Sequence, residues 1–162
     1  DLTGLSAAGL YALSHGVAGF DLLKEAHRVP RPLYEQARQV AKNSEVHAMC
    51  DVSDGLLADL MHIAEASKVE CEIDGDKLDV VRLTELAEVA GMDPKTWALT
   101  GGEDHAFLVV ASSLADLLNQ ENLVCREIGT VTASHSTGTV HLVNGPQGGL
   151  ANSGFDHFRI SP

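Results

Sequence analysis

The sequence predicts an α/β (α+β) domain in which helices pack on a mixed β-sheet. Several segments place apolar residues at helical spacing, whereas residues 69–74 alternate apolar and acidic side chains as a half-buried strand does. The helical and strand-like segments are mixed without strict alternation, which favours a mixed sheet over a purely parallel one. With 162 residues, 44% of them hydrophobic, the chain is long enough for one core. No repeat or linker divides it, so we expect a single domain over residues 1–162.

The first part of the chain is predicted to be helical. Residues 6–13, 20–26 and 33–42 each carry a helical pattern, and two prolines separate the second segment from the third. Ser6 is the expected N-cap of the first helix, because a serine hydroxyl can accept a hydrogen bond from a free amide there.

The middle of the chain is predicted to run from strand to helix to strand. Residues 46–49 form a short apolar run, and residues 69–74 are the alternating strand. Between them, one apolar helical stripe comprises Leu56, Leu57, Leu60, Met61 and Ala64.

The second half of the chain also contains both helical and strand patterns. Residues 80–90 and 114–122 favour helices, and residues 106–110 favour a buried strand after a glycine turn. Residues 124–132 and 139–143 favour two more strands, joined by a connection that could form a hairpin.

Composition excludes several classes of function. The net charge of −12 argues against a nucleic-acid groove or an anionic membrane surface. No apolar run approaches the roughly 20 residues that span a bilayer, and no signal peptide is recognisable. The three cysteines form no C-x-x-C pair and are odd in number, which favours reduced thiols in the cytoplasm. None of the eight histidines has the spacing of a helical zinc site.

The segment between the first strand and the central helix is the main candidate site. Asp51, Ser53 and Asp54 precede Gly55, where the backbone can turn or approach a ligand. The start of a helix attracts phosphate, and carboxylates beside it would hold Mg²⁺ through their oxygen atoms. Ser53 or Asp54 could instead simply cap the helix. Asp51 is harder to explain in that way, because a second carboxylate at a strand end needs a compensating cation or donor.

A second candidate cluster lies at the glycine turn. Glu103 follows two glycines and could face a cationic or donor-rich ligand, although composition alone favours an ordinary acidic turn. Near the end of the chain, Phe155 and Phe158 could wall a pocket or seal the core.

These pieces together resemble the thiamine-monophosphate kinase family. Five motifs occur in the order seen in that family, at residues 6–10, 51–56, 101–104, 128–131 and 154–158. The Asp-Val-Ser-Asp-Gly-Leu motif is fairly specific among relatives of the wider superfamily. The resemblance runs along the whole chain but covers only the C-terminal half of that enzyme. It implies the fold of the C-terminal domain of aminoimidazole ribonucleotide synthetase-like proteins, with the N-terminal domain absent.

The resemblance also implies an activity and roles for residues. The family phosphorylates thiamine monophosphate to thiamine diphosphate with ATP and Mg²⁺. By resemblance, Asp51 and Asp54 would be Mg²⁺ ligands, Ser53 would contact ATP, and Glu103 and Phe155 would contact the substrate. The complete enzyme would be a cytoplasmic homodimer assembled through its N-terminal domain. That domain also supplies further acidic metal ligands and much of the nucleotide site, so residues 1–162 alone are expected to be inactive.

The chain departs from the family after the glycine turn. The family usually continues with Tyr-Glu-Leu, whereas this chain has His105, Ala106 and Phe107. Two alternatives remain open from the sequence: an ATP-dependent enzyme of the same superfamily with another acceptor, and a non-catalytic binding module of this fold.

Overall fold

A computed structural model describes residues 3–113, 115, 123–134, 136–147 and 149–150. Phe155, Phe158 and most of the predicted helix at 114–122 lie outside the described residues. The described helices are α1 (Leu5–Ser14), α2 (Asp21–Arg28), α3 (Tyr34–Val40), α4 (Leu56–Ser67), α5 (Val81–Ala90) and α6 (Pro94–Thr100), with a 3₁₀ turn at Gly75–Lys77. The described strands are β1 (Val46–Asp51), β2 (Val69–Asp74), β3 (Phe107–Ala111), β4 (Gly129–Ser134) and β5 (Thr139–Val143).

The predicted fold class is confirmed, but the described strands form two sheets rather than one. β1 pairs antiparallel with β3, and β2 lies between β4 and β5 in a three-stranded sheet. The latter sheet is mixed, because β2 is antiparallel to β4 and parallel to β5.

The predicted hairpin between the last two strands is wrong, because β2 separates them. β2 takes the central position because its inward side chains, Cys71 and Ile73, are each only 2% exposed. β4 presents mostly exposed side chains and is therefore suited to an edge.

Helix α4 forms the centre of the core, and four residues of the predicted apolar stripe, Leu56, Leu57, Leu60 and Ala64, are buried. Met61 is only half-buried, and Ile63, which the predicted stripe did not include, is buried as well. The helix contacts strands of both sheets and α6, so its first turn is held rigidly. Each fully buried leucine contributes roughly 2 kcal/mol to folding by removing apolar surface from water.

Helices α1 and α2 pack closely through a small residue. Gly9 lies against the Leu23 backbone, where a Cβ atom would overlap the carbonyl oxygen. Within the described part of the chain, no helix combines the length and apolar character needed to cross a membrane.

Candidate functional site

Asp51 and Ser53 lie side by side at the end of β1. The Ser53 hydroxyl donates a hydrogen bond of 2.5 Å to Oδ2 of Asp51. Asp51 is exposed, Ser53 and Asp54 are half-buried, and Val52 between them is only 1% exposed. The buried valine fixes the backbone, so the polar side chains of this segment are presented outward while the loop itself is anchored in the core.

Gly55 makes the turn from this loop into α4. It has φ 117° and ψ 149°, a conformation that is essentially restricted to glycine. A Cβ atom here would also lie 2.8 Å from the Thr100 carbonyl oxygen. Gly55 occupies the N-cap position of α4, so neither Ser53 nor Asp54 is the N-cap residue considered from the sequence.

Asp59 holds the loop from inside the protein. Its Oδ2 accepts hydrogen bonds from the backbone N–H groups of Ser53, Asp54 and Gly55, at 2.9, 3.1 and 3.2 Å. The side chain is buried, and burial raises its pKa although the three hydrogen bonds act in the opposite direction. Sequence reasoning missed Asp59. The available signal was an aspartate on the same face of the helix as Leu56 and Ile63.

The two candidate clusters meet through their backbones. The Glu103 N–H donates to the Ser53 carbonyl at 2.9 Å, and the Val52 N–H donates to the Ala106 carbonyl at 2.8 Å. Gly102 lies so close to the Ser53 carbonyl that a Cβ atom would overlap it. The structure therefore brings Ser53 and Glu103, which are distant in sequence, into adjoining loops.

Glu103 and His105 lie in a strained segment of the glycine turn. Glu103 has φ 62° and His105 has φ 53°, both in the left-handed region that non-glycine residues rarely adopt. Glu103 is exposed, and its Oε2 lies 3.5 Å from Nε2 of His105. Hydrogen bonds from the neighbouring loop hold this strained backbone in place. Strained backbone conformations of this kind cluster at functional sites.

Asp104 points in the opposite direction and anchors α1. Its carboxylate accepts hydrogen bonds from the N–H groups of Gly4 at 2.5 Å and of Ser6 at 2.9 Å. Gly4 is the N-cap residue of α1, so the predicted N-cap role of Ser6 is wrong. The Ser6 hydroxyl instead lies 3.0 Å from Nδ1 of His27. A distant carboxylate thus does the capping that a local side chain was expected to do.

Asp104 should make folding stability depend on pH. Burial raises its pKa from 3.8 to about 6, with the backbone hydrogen bonds acting against the shift. Because the native carboxyl binds its proton more tightly than the unfolded one, its stabilising contribution is lost as the pH rises from about 4 to about 6. Over that pH range, we expect the free energy of unfolding of the wild type to fall by on the order of 2–3 kcal/mol relative to that of an Asp104→Asn variant. Urea unfolding of both proteins at several pH values measures this difference, and a constant difference would contradict the assignment.

An open cleft of about 630 Å³ adjoins the two loops. Asp51, His105 and Phe107 line one side, and Tyr34 and Arg38 on α3 line the other. The cleft carries charges of both signs and is large enough for a small molecule.

The oxygen-rich donor set of the first loop fits Mg²⁺. Asp51 and Asp54 offer carboxylate oxygens, and Ser53 adds a hydroxyl, which are the ligands that hard cations prefer. Among the described residues, one group of potential metal-ligand atoms lies within 4.8 Å of one another, and it consists of Asp54, Asp59 and His62. Asp51 lies on the same loop but does not belong to that group.

Comparison with known proteins shows which proteins this chain is similar to. A thiamine-monophosphate kinase of Mycobacterium tuberculosis is 46% identical over 107 residues, covering 65% of this chain and 32% of the relative. The enzyme of that name from Methanopyrus kandleri is 34% identical over 137 residues, covering 84% and 42%. A solved structure described as "AaThiL complexed with AMPPCP and TMP" superposes with a TM-score of 0.78 at 29% identity, covering 98% of this chain and 49% of that one.

The resemblance inferred from the five motifs is thereby confirmed. The chain spans about a third to a half of the length of these relatives. Residues 2–141 match the family described as "AIR synthase related protein, C-terminal domain". The chain therefore belongs to this family of C-terminal domains related to AIR synthase.

Proposed function

We propose that this chain is the C-terminal half of a two-domain thiamine-monophosphate kinase, which transfers a phosphoryl group from ATP to thiamine monophosphate. The observation that carries the proposal is the joining of two loops by the Glu103 N–H to Ser53 carbonyl hydrogen bond. This bond brings the loop that carries Asp51, Ser53 and Asp54 next to the exposed Glu103, which supports a shared role for the two loops. The matched relatives bear the same enzyme name, and one solved relative holds AMPPCP and TMP.

The loop from Asp51 to Gly55 would hold Mg²⁺ and the phosphates of ATP. Asp51 and Asp54 would be the metal ligands, and Mg²⁺ would neutralise the negative charge that keeps two phosphate groups apart. Ser53 would donate a hydrogen bond from its hydroxyl to a phosphate oxygen. The acceptor is already a phosphate oxygen, so positioning and charge neutralisation matter more than a strong general base.

The glycine turn would bind the thiamine part of the substrate. Glu103 has an exposed carboxylate beside the first loop, which suits the cationic thiazolium ring. Phe155 would provide an aromatic face for the same cation. The cleft beside Asp51 and His105 has the volume for a small substrate.

The remaining parts of the site would come from an N-terminal domain that also forms the homodimer contact. We place the enzyme in the cytoplasm, which is consistent with the free thiols of Cys50, Cys71 and Cys125. Residues 1–162 alone should not convert thiamine monophosphate.

A product assay tests the proposal. The complete two-domain protein is incubated with Mg²⁺, ATP and thiamine monophosphate, and thiamine diphosphate is separated by chromatography. We expect ATP-dependent product from the complete protein and none from residues 1–162. If the complete protein forms no thiamine diphosphate but phosphorylates another acceptor, the substrate assignment is wrong. If the complete protein neither hydrolyses ATP nor transfers its phosphoryl group, the binding-module alternative is favoured.

A further inference from the structure

We propose that Asp59 is a positioning residue that sets the geometry of the Asp51–Gly55 loop and thereby its affinity for a divalent cation. The inference rests on the proposed function only in assigning that loop to metal binding. Asp59 would act through the loop, since its carboxylate is directed at backbone amides and is only 7% exposed.

Three consecutive backbone amides converge on one atom of Asp59. The N–H groups of Ser53, Asp54 and Gly55 all donate to Oδ2 of Asp59. One acceptor oxygen that serves three donors is strongly favoured when it carries negative charge. A neutral side chain of similar shape would hold the same loop less tightly.

The same three amides are not available to bind phosphate. In many phosphate-binding loops, backbone N–H groups themselves cradle the anion. Here the three amides that precede α4 are directed inward to Asp59. Phosphate binding at this loop must therefore depend on the side chains and on the cation that they hold. Their direction depends in turn on the backbone that Asp59 fixes.

Asp59 is itself held in place by the core. It lies in α4 between Leu56 and Ile63, which are 2% and 9% exposed and belong to the core. The adjoining backbone is braced from the other side by the contact between Gly55 and Thr100. Outer-shell residues that orient metal ligands typically change metal affinity by 10- to 100-fold when they are removed.

Mn²⁺ binding to the complete protein, followed by electron paramagnetic resonance, tests the proposal without requiring turnover. We expect Asp59→Ala to weaken Mn²⁺ binding at least about 10-fold. Asp59→Asn should give a smaller loss, because its amide oxygen still accepts hydrogen bonds. In steady-state assays, the Mg²⁺ concentration for half-maximal rate should rise in the same order, with the KM for thiamine monophosphate nearly unchanged.

Two further variants separate positioning from other roles. Asp93 accepts hydrogen bonds from the N–H groups of Lys95 and Gln147 at the opposite end of α6 from Thr100. Asp93→Ala therefore controls for loss of a backbone-binding carboxylate, and its Mn²⁺ affinity should stay within about twofold of wild type. His62→Ala should also leave Mn²⁺ affinity unchanged.

Each outcome decides the proposal. Unchanged Mn²⁺ affinity in Asp59→Ala overturns it, and if that variant does not fold, unchanged affinity in Asp59→Asn does so. An equal loss in His62→Ala would assign Asp59 and His62 as direct ligands and also overturn positioning. Wild type that binds Mn²⁺ but forms no thiamine diphosphate would refute the proposed function alone, since the Mn²⁺ series still decides this inference. Wild type that binds no Mn²⁺ would refute both.

Discussion

Replacing Gly55 with alanine is expected to destabilise the protein by about 3–5 kcal/mol and to abolish activity of the complete enzyme. The backbone at Gly55, with φ 117° and ψ 149°, is nearly inaccessible to alanine. The added Cβ would also lie 2.8 Å from the Thr100 carbonyl oxygen, which is backbone and cannot rotate away. Because the Gly55 N–H is one of the three bound by Asp59, any relief of strain moves the loop. Urea unfolding and the product assay measure both effects.

Gly91→Ala provides the matched control. Gly91 has φ 66° at the C-terminus of α5, and nothing lies within 4 Å of a Cβ built there. Alanine at this position should lower the free energy of unfolding by about 1–2 kcal/mol, because alanine disfavours the left-handed conformation. It should leave activity intact. Equal stability losses in the two variants would show that the contact with Thr100 has no consequence. Full activity in Gly55→Ala would show that the loop geometry is not required.

Replacing Asp51 or Asp54 with asparagine is expected to reduce kcat of the complete enzyme by about 10²–10³-fold, which corresponds to roughly 2.7–4 kcal/mol of transition-state stabilisation. Each change removes a negative charge that would hold Mg²⁺ while keeping the size of the side chain. Asp51 is exposed and Asp54 is half-buried, so the free energy of unfolding should change by less than about 1 kcal/mol. Steady-state kinetics and urea unfolding of the same preparations separate the two effects.

The double variant Asp51→Asn/Asp54→Asn adds a sharper test. If both carboxylates bind one cation, the loss in the double variant should be clearly smaller than the product of the single losses. Asp76→Asn serves as the control, because Asp76 is an exposed aspartate that pairs with Lys95 away from the loop. Multiplicative losses, or a similar loss in Asp76→Asn, would contradict a shared metal site.

Local patterns predicted the segments that position the site. The apolar stripe of α4 and the alternation of β2 were readable, because helix and strand periods impose them on the sequence. The loop from Asp51 to Gly55 could be placed between strand and helix for the same reason. The central position of β2 between β4 and β5 was not readable, since strand order depends on which buried faces meet after the chain folds.

The residues that hold the site were harder to predict than the residues that form it. Asp104 contacts the start of α1 across a separation of 100 residues, and no local pattern records such a contact. An aspartate such as Asp59 is common in the first turns of helices. Only its burial distinguishes it from a surface aspartate. Asp51, Ser53 and Glu103 could be proposed because their motifs resemble a family, whereas the backbone bond that joins their loops required the structure.

The central claim is that the Asp51–Gly55 loop binds a divalent cation and ATP phosphates directly beside the glycine turn that is joined to it. The most direct measurement is the amide NMR spectrum of the complete protein, titrated with Mn²⁺ and a non-hydrolysable ATP analogue. Paramagnetic broadening should appear first at residues 51–55 and 101–105, while amides of α5 (Val81–Ala90) remain sharp. Broadening centred on the acidic residues Asp74 and Asp76, with sharp signals at both loops, would contradict the claim.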